Sequence, residues 1–126
     1  MNILYITYDG ILEPLGESQV LSYQEKLSSD FNIILLSYEK KADLKNKKLL
    51  NSMKKRTKES SILWIYHRYH KSPSVIATFY DLFIGLLHSS YIIYKHKIKI
   101  VHARSYPPAL IAMILKTFFG VKFIFD

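Results

Sequence analysis

Five short runs of β-branched, leucine and aromatic residues alternate with helical patterns along this 126-residue chain. The runs predict strands over Ile3–Tyr8, Ile33–Tyr38, Ile62–Tyr66, Ile98–Ala103 and Val121–Phe125. Several are apolar on both faces, which is typical of parallel strands that are covered by helices on both sides. The intervening patterns predict helices over Ser18–Ser29, Asp43–Lys58, Ser74–Lys95 and Pro107–Phe119. This order predicts a Rossmann-like α/β fold, a parallel sheet of about five strands with helices on both faces and right-handed crossovers.

The ends of two helices carry recognisable signals. Ser18 is a candidate N-cap, because its hydroxyl accepts a hydrogen bond from a backbone N–H of the first turn. Pro107 suits a first helical turn, and Gly120 suits a helix end. At 49% hydrophobic residues, the 126 residues are enough for one domain with its own core.

The helix predicted over Ser74–Lys95 has a competing interpretation, because Val75–Tyr94 is long enough to cross a membrane. A small and polar stripe argues for a helix buried against the sheet; it contains Thr78, Asp81, Gly85 and His88. An unpaired aspartate near the centre of a span would cost about 2.5–3.5 kcal/mol. We therefore expect this helix to pack on the sheet.

Cysteine is absent, which excludes a disulfide scaffold and any thiolate metal site. The N-terminus lacks the basic region of a secretory signal, and Asp9 interrupts its apolar run, so we expect no targeting peptide and a cytoplasmic location. His67 and His70 are spaced like metal ligands, but no carboxylate lies near them in sequence. We predict no metal site.

The net charge of +8 is concentrated in one segment. Nine lysines and arginines lie between Lys40 and Lys58, opposed there only by Asp43, whereas the other basic and acidic residues cancel. We call Lys40–Lys58 the basic segment. It lacks the interleaved aromatic residues of a nucleic-acid surface, so no nucleic-acid partner is expected.

In doubly wound sheets ligands bind beyond the carboxyl ends of the strands, where the strand order reverses. For the usual order 3-2-1-4-5 this crevice lies between the first and fourth strands. We therefore expect a site where the loop after the first strand faces the loop after the fourth; its candidate binding residues are Asp9, Gly10, Gly16, Glu17, Ser18, Arg104 and Ser105, with Asp126 beside them.

Physical reasons support those residue types. The two glycines offer backbone freedom, and a helix N-terminus offers N–H groups to a phosphate or to sugar oxygens. A guanidinium at Arg104 can grip an oxyanion through two hydrogen bonds. Alternatives remain open: the glycines as simple turn formers, Asp9 and Asp126 as caps, and Arg104 paired with Glu13 or Glu17. The loop does not form GxGxxG, which disfavours a dinucleotide site.

Ile3–Gly10 followed by Glu13–Leu21 resembles the beginning of family 4 glycosyltransferases, which have the two-domain B-type fold. The stretches Pro73–Thr78, Ile100–Tyr106 and Val121–Asp126 are similar to the same subgroup. The resemblance implies an enzyme that moves a sugar from a nucleotide-sugar donor to an acceptor, a glycan or a lipid-linked saccharide of polysaccharide biosynthesis. It also implies that residues 1–126 form part of the N-terminal, acceptor-side domain.

In the resembled enzymes a C-terminal domain holds the nucleotide sugar, and the glycine loop approaches the donor phosphate. Asp126 matches a residue near the transferred sugar, usually histidine, and is the candidate catalytic residue. The acidic motif that grips the donor has no counterpart here, so the chain is expected to bind no cofactor and, alone, to show no activity. The expected partners are the donor domain and a sugar acceptor.

Two other interpretations stay open. The chain could be a non-catalytic module that binds a glycan or a partner, and the edge of its fifth strand could pair with a second copy. A receiver-type domain is disfavoured because the third strand ends at Tyr66-His67-Arg68, without a phosphorylatable aspartate. A flavodoxin-like domain would need a loop richer in serine and threonine.

Family 4 enzymes that act on lipid-linked acceptors commonly lie on the inner face of the membrane through a basic patch. The basic segment fits that use, since each lysine or arginine near an anionic bilayer contributes about 1 kcal/mol. The expected membrane-surface residues are Lys45, Lys48, Lys54, Lys55 and Arg56. A solvated lysine-rich helix is the competing interpretation.

Overall fold

The computed structural model describes residues 2–8, 10–69, 74–104 and 106–125. Its five strands are β1 (Asn2–Thr7), β2 (Asn32–Glu39), β3 (Leu63–Arg68), β4 (Ile100–Arg104) and β5 (Lys122–Phe125). They form one parallel sheet in the order β3-β2-β1-β4-β5. The predicted α/β class, the parallel sheet and the strand order, which reverses between β1 and β4, are confirmed.

Helical segments connect successive strands. After β1 come α1 (Pro14–Gly16), a π-helical segment (Glu17–Leu21) and α2 (Ser22–Leu27), which follow one another directly. The connection from β2 to β3 contains α3 (Lys41–Lys45) and α4 (Lys47–Glu59). The crossovers to β4 and to β5 are α5 (Ser74–His96) and α6 (Tyr106–Phe119).

The first helix begins earlier than predicted. Its N-cap is Glu13, with an extended backbone (φ −75°, ψ 146°), and Pro14 occupies the first turn. Proline fits there because its φ is already helical and its missing N–H would have had no partner in the helix. Ser18 consequently lies inside the π-helical segment, so the N-cap prediction for Ser18 is wrong.

Side chains that alternate along the strands enter two cores, one on each side of the sheet. On one side, Leu4 of β1 packs with Ile92 of α5 and Leu115 of α6. We call this side the α5–α6 face. On the other side, the next residue of β1, Tyr5, packs with Val20 of the π-helical segment and with Met53 of α4. We call it the α2–α4 face.

The polar stripe of α5 faces the sheet, as predicted. Asp81 is buried, and its backbone carbonyl accepts a hydrogen bond of 2.6 Å from the Tyr38 hydroxyl. A methyl group at Gly85 would lie 2.0 Å from that hydroxyl oxygen, so glycine makes the close packing of helix and sheet feasible. The opposite side of α5 exposes large apolar side chains, which a helix buried all round would not. By length and composition α5 could also cross a membrane.

Candidate functional site

The two glycines after β1 allow close packing. Gly16 has ordinary helical angles (φ −65°, ψ −39°), so it needs no unusual backbone conformation. A methyl group at this position would lie 1.9 Å from the carbonyl oxygen of Gly10. One at Gly10 would lie 2.7 Å from Glu39 Oε1. At Gly16 the glycine is therefore explained by close packing and not by an unusual backbone conformation, and at both positions the neighbouring atoms leave little room for a side chain.

A buried carboxylate holds this loop in place. Glu39, at the end of β2, accepts hydrogen bonds from the backbone N–H groups of Ile11 (3.1 Å) and Leu12 (3.0 Å). The Ser37 hydroxyl also donates to Glu39, and Trp64 Nε1 donates to Ser37 at 2.8 Å. Burial raises the pKa of Glu39, while these hydrogen bonds act in the opposite direction. Glu39 therefore occupies two backbone N–H groups of the loop after β1.

A groove lies on the α2–α4 face, over the ends of β4 and β5. Its volume is about 610 Å³, and its lining consists of Ser18, Gln19, Tyr23, His102, Arg104, Ile124 and Phe125. We call it the β4 groove. Two of the predicted binding residues, Ser18 and Arg104, meet in it. The Arg104 guanidinium donates through Nη2 to Gln19 Oε1, which links the end of β4 to the π-helical segment.

The β4 groove combines polar and aromatic surfaces. Tyr23 and Phe125 are more than half exposed. His102 contacts the ring of Tyr5 edge to face, with centroids 4.6 Å apart. A guanidinium, an amide and exposed rings suit a polyhydroxylated ligand, because hydroxyl groups can bind the planar polar groups while the C–H face of a sugar packs on the rings.

Glu17, another predicted binding residue, is engaged elsewhere. Its Oε1 lies 2.6 Å from Arg56 Nη1, and Glu25 Oε1 lies 2.6 Å from Arg56 Nη2. The hydrogen bond from Arg56 is the main cause that lowers the pKa of Glu25, and the same bond raises the pKa of Arg56. Arg104 donates to Gln19, whereas Glu13, one of the two glutamates of the alternative interpretation, binds Lys40 at 2.8 Å.

The predicted membrane-surface residues divide into two groups. Lys45, Lys48, Lys54 and Lys55 are exposed on α3 and α4. Arg56 binds Glu17 and Glu25, so its charge is compensated within the protein, and its predicted contact with a membrane surface stays a prediction. Asp9, Ser105 and Asp126 lie outside the described residues, so their predicted roles stay predictions.

Sequence reasoning did not find a polar cluster beneath α5. The Tyr8 hydroxyl donates to Asp81 Oδ2 at 2.9 Å, and His67 Nε2 lies 2.8 Å from His88 Nδ1. Burial is the largest cause that raises the pKa of Tyr8 and that lowers the pKa of His67 and His88. The polar stripe of α5 was the signal in the sequence. It predicted that Asp81 and His88 face the sheet, but it did not identify their partners, Tyr8 after β1 and His67 on β3.

Comparisons with known proteins give one informative result. No model of a known protein family matches the sequence, and no curated protein matches it. The fold is similar to the crystal structure of a glycosyltransferase from Rickettsia africae ESF-5, with a TM-score of 0.59 and 19% sequence identity. The similarity covers 98% of this chain and 28% of that chain, so the chain spans under a third of that protein's length.

Proposed function

We propose that this chain is the acceptor-side part of a glycosyltransferase similar to family 4, with the two-domain B-type fold. The observation that carries the proposal is the β4 groove: it lies beside the β1–β4 crevice, where sheets of this order bind ligands, and it joins Arg104 and Gln19 to exposed rings. The similarity of the fold to that of the Rickettsia africae glycosyltransferase supports it.

In this reaction an acceptor hydroxyl oxygen forms a bond to the anomeric carbon of the donor sugar. The bond from that carbon to the nucleoside diphosphate breaks, the diphosphate leaves with the bonding electrons, and the hydroxyl proton passes to the leaving diphosphate or to water. The proposed task of this chain is to orient the acceptor, a glycan or a lipid-linked saccharide. Arg104, Gln19 and Ser18 would bind its hydroxyl or acidic groups, and Tyr23 and Phe125 would pack on its ring. Asp126 is proposed to lie near the transferred sugar.

The nucleotide-sugar donor is proposed to bind a second domain, as in the resembled enzymes. Catalysis would then require the acceptor site of this chain and the donor site of the second domain to come together. Rates of bimolecular steps depend strongly on holding both reactants in one geometry. We therefore expect the 126 residues alone to bind saccharide acceptors and to transfer no sugar.

Saccharide binding provides the first test. The purified chain is titrated, by ligand-observed NMR, with glucose, galactose, N-acetylglucosamine and glucuronic acid disaccharides. Arg104→Ala is expected to weaken binding at least fivefold, because it removes the charged donor of the β4 groove. Arg68→Ala, which removes an exposed arginine at the end of the edge strand β3, is the matched control and should leave affinity unchanged. Equal affinities for both variants would contradict the assignment of the groove.

Transfer provides the second test. The chain is incubated with radiolabelled UDP- and GDP-sugars and the saccharide that binds best, with and without a separately produced donor domain. We expect labelled product only when the donor domain is added. Turnover by the chain alone would contradict the proposal that the donor binds to a second domain. Saccharide binding without transfer under either condition would favour the non-catalytic binding module instead.

A further inference from the structure

The π-helical segment, Glu17–Leu21, has a wider turn than an α-helix. The backbone N–H of Ser22 donates to the carbonyl of Glu17, five positions earlier, and the Ser22 hydroxyl donates to the same carbonyl at 3.1 Å. The hydrogen bonds of an α-helix span four positions. π-Helical turns are rare and occur frequently at functional sites, so this one requires a physical reason.

The register of this segment determines which side chains face the β4 groove. Ser18 and Gln19 line the groove, whereas Val20 and Leu21 are buried in the core of the α2–α4 face. Successive residues of a helix differ by about 100° in direction. If the π-helical segment closed to an α-helix, the residues before α2 would therefore rotate by about 100° relative to α2. Gln19 would then turn away from the Arg104 guanidinium, to which it is now hydrogen-bonded.

One arginine of α4 binds both ends of the segment. Arg56 Nη1 donates to Glu17 Oε1 at 2.6 Å, and Nη2 donates to the Ser22 hydroxyl at 3.3 Å. The same guanidinium binds Glu25 of α2 through two further hydrogen bonds, from Nε at 3.0 Å and from Nη2 at 2.6 Å. Arg56 therefore contacts the first residue of the segment, the residue after its last, and the next turn of α2.

These contacts are more constrained than an ordinary surface ion pair. The side chains of Arg56 and Glu25 are 33% and 23% exposed, and the Ser60 hydroxyl donates to Glu25 Oε2 at 2.9 Å. An exposed single pair contributes little, but a planar guanidinium that forms several hydrogen bonds at once fixes the geometry of its partners. Lysine is a poor replacement, because its ammonium is a point charge without this planar geometry.

We propose that Arg56 is a positioning residue for the β4 groove. Its contacts hold the π-helical segment in the register that presents Ser18 and Gln19 to a saccharide. Arg56 does not belong to the lining of the groove, so it acts through the segment and not by contact with the ligand. The inference rests on the proposed function, because it assigns to Arg56 a part in the acceptor binding that is proposed there.

A contact that only joined α4 to α2 would need Glu25 alone. The hydrogen bonds to Glu17 and Ser22 lie instead at the two ends of the π-helical segment. The Ser22 hydroxyl also donates to the carbonyl that accepts the hydrogen bond spanning five positions. Arg56 is thus connected to the atoms that define the register, and we expect its loss to affect the groove beyond a general loss of stability.

Saccharide binding tests the positioning role. The probe is the disaccharide, among those named for the first test, that binds the natural chain most tightly. Arg56→Lys keeps the charge but loses the planar guanidinium, and we expect it to weaken binding about fivefold. In the Ser18→Ala/Gln19→Ala background the same substitution should change the affinity by less than about twofold, because the side chains that it displaces are absent.

Ile92→Val is the control for stability. Ile92 is buried in the core of the α5–α6 face, on the other side of the sheet, so this substitution destabilises the chain without contacting the segment. It should leave the affinity unchanged.

Ser22→Ala is a milder variant for the case that Arg56→Lys does not fold. It removes the hydroxyl that joins Arg56 to the Glu17 carbonyl. We expect it to weaken saccharide binding about twofold.

The Gln19 side chain provides a structural readout that needs no ligand. Its NH₂ resonance in an NMR spectrum, assigned by its disappearance in Gln19→Ala, reports the contact with Arg104. We expect this resonance to shift in Arg56→Lys and in Ser22→Ala, and to keep its position in Ile92→Val.

Three results would overturn the inference: natural affinity in Arg56→Lys, equal weakening with and without the Ser18 and Gln19 side chains, or an unmoved Gln19 resonance. Weakening of the same size in Ile92→Val would attribute the effect to stability and would also contradict it. If the natural chain binds no saccharide, the proposed function fails and the Gln19 resonance alone decides: a shift supports the positioning role of Arg56, and no shift contradicts it.

Discussion

Gly16 lies where the first helix passes the loop after β1, and the space for a side chain there is already filled. Gly16→Ala would push a methyl group against the Gly10 carbonyl, 1.9 Å away, and backbone cannot yield as a flexible side chain can. We expect a loss of about 3 kcal/mol in the free energy of unfolding, at the upper end of the usual cost of overpacking. Urea denaturation followed by circular dichroism measures it.

Gly120 provides the contrasting control. It has a positive φ of 68°, and a methyl group there would have nothing within 4 Å. Gly120→Ala should cost only about 1 kcal/mol, the backbone penalty alone. If both substitutions cost the same, steric contact at Gly16 is not what selects glycine there.

At single positions the sequence predicted which residues are structurally important better than it predicted the physical reason for their importance. Gly10 and Gly16 were recognised as special, but backbone angles and contacts between residues distant in sequence cannot be read from one loop. Glu39 escaped notice altogether, because a glutamate at a strand end is usually solvated, and only the fold shows that its oxygens meet two N–H groups.

At the scale of elements, Glu39 joins β2 to the loop after β1. Each carboxylate oxygen accepts a backbone N–H, so an amide at this position must turn its NH₂ toward another donor. We expect Glu39→Gln to lower the free energy of unfolding by about 1–3 kcal/mol. Hydrogen exchange should show faster exchange of the Ile11 and Leu12 amides.

Glu59→Gln is the matched control, because that side chain is exposed and its only described ion pair, with Lys55, is long at 4.0 Å. It should change the free energy of unfolding by less than about 0.5 kcal/mol. A Glu39→Gln variant as stable as this control would mean that the buried hydrogen bonds do not hold the loop.

Elements with a strong period were predicted well, and their boundaries less well. All five strands were found with ends within two residues of those observed, because apolar β-branched runs of this length have few alternatives. The first helix was misplaced because serine is a good N-cap, whereas Pro14 allows the helix to begin earlier. The local sequence pattern did not indicate the π-helical segment.

At the scale of the whole molecule, a histidine pair couples stability to pH. His67 of β3 and His88 of α5 both have a pKa below the ordinary 6.5, mainly through burial, and Asp81 only partly offsets this for His67. Tyr8 and Tyr38, which also face this cluster, have raised pKa values and stay neutral in this range. As pH falls through 6.5, the unfolded chain takes up protons that the folded chain resists, so stability falls.

The free energy of unfolding should therefore decrease between about pH 7.5 and about pH 5.5, and less steeply in His88→Asn. His96→Asn, near the end of the same helix, is the control and should keep the slope of the natural chain. Urea denaturation across this pH range measures the free energy of unfolding for the natural chain and for both variants. An unchanged slope in His88→Asn would remove the pair from the pH response.

The overall topology followed from general rules, since alternating strands and helices with right-handed crossovers leave few arrangements. These rules did not predict which surfaces of the helices stay exposed. The pattern of α5 is apolar on most of its circumference, so composition indicated burial. Only the observed packing separates the side that faces the sheet from the exposed side, which carries Phe79, Phe83 and Tyr94.

The hold of Glu39 on the Ile11 and Leu12 amides has a consequence for ligand choice. A group attached to the same chain competes at an effective concentration of order millimolar or higher, whatever the supply of free ligand. An incoming phosphate would have to displace the Glu39 side chain from both amides and leave its carboxyl group buried without these two hydrogen bonds. The Ile11 and Leu12 amides are therefore not open to a phosphate while Glu39 holds them, and in the proposed function ligand selection rests on the side chains of the β4 groove.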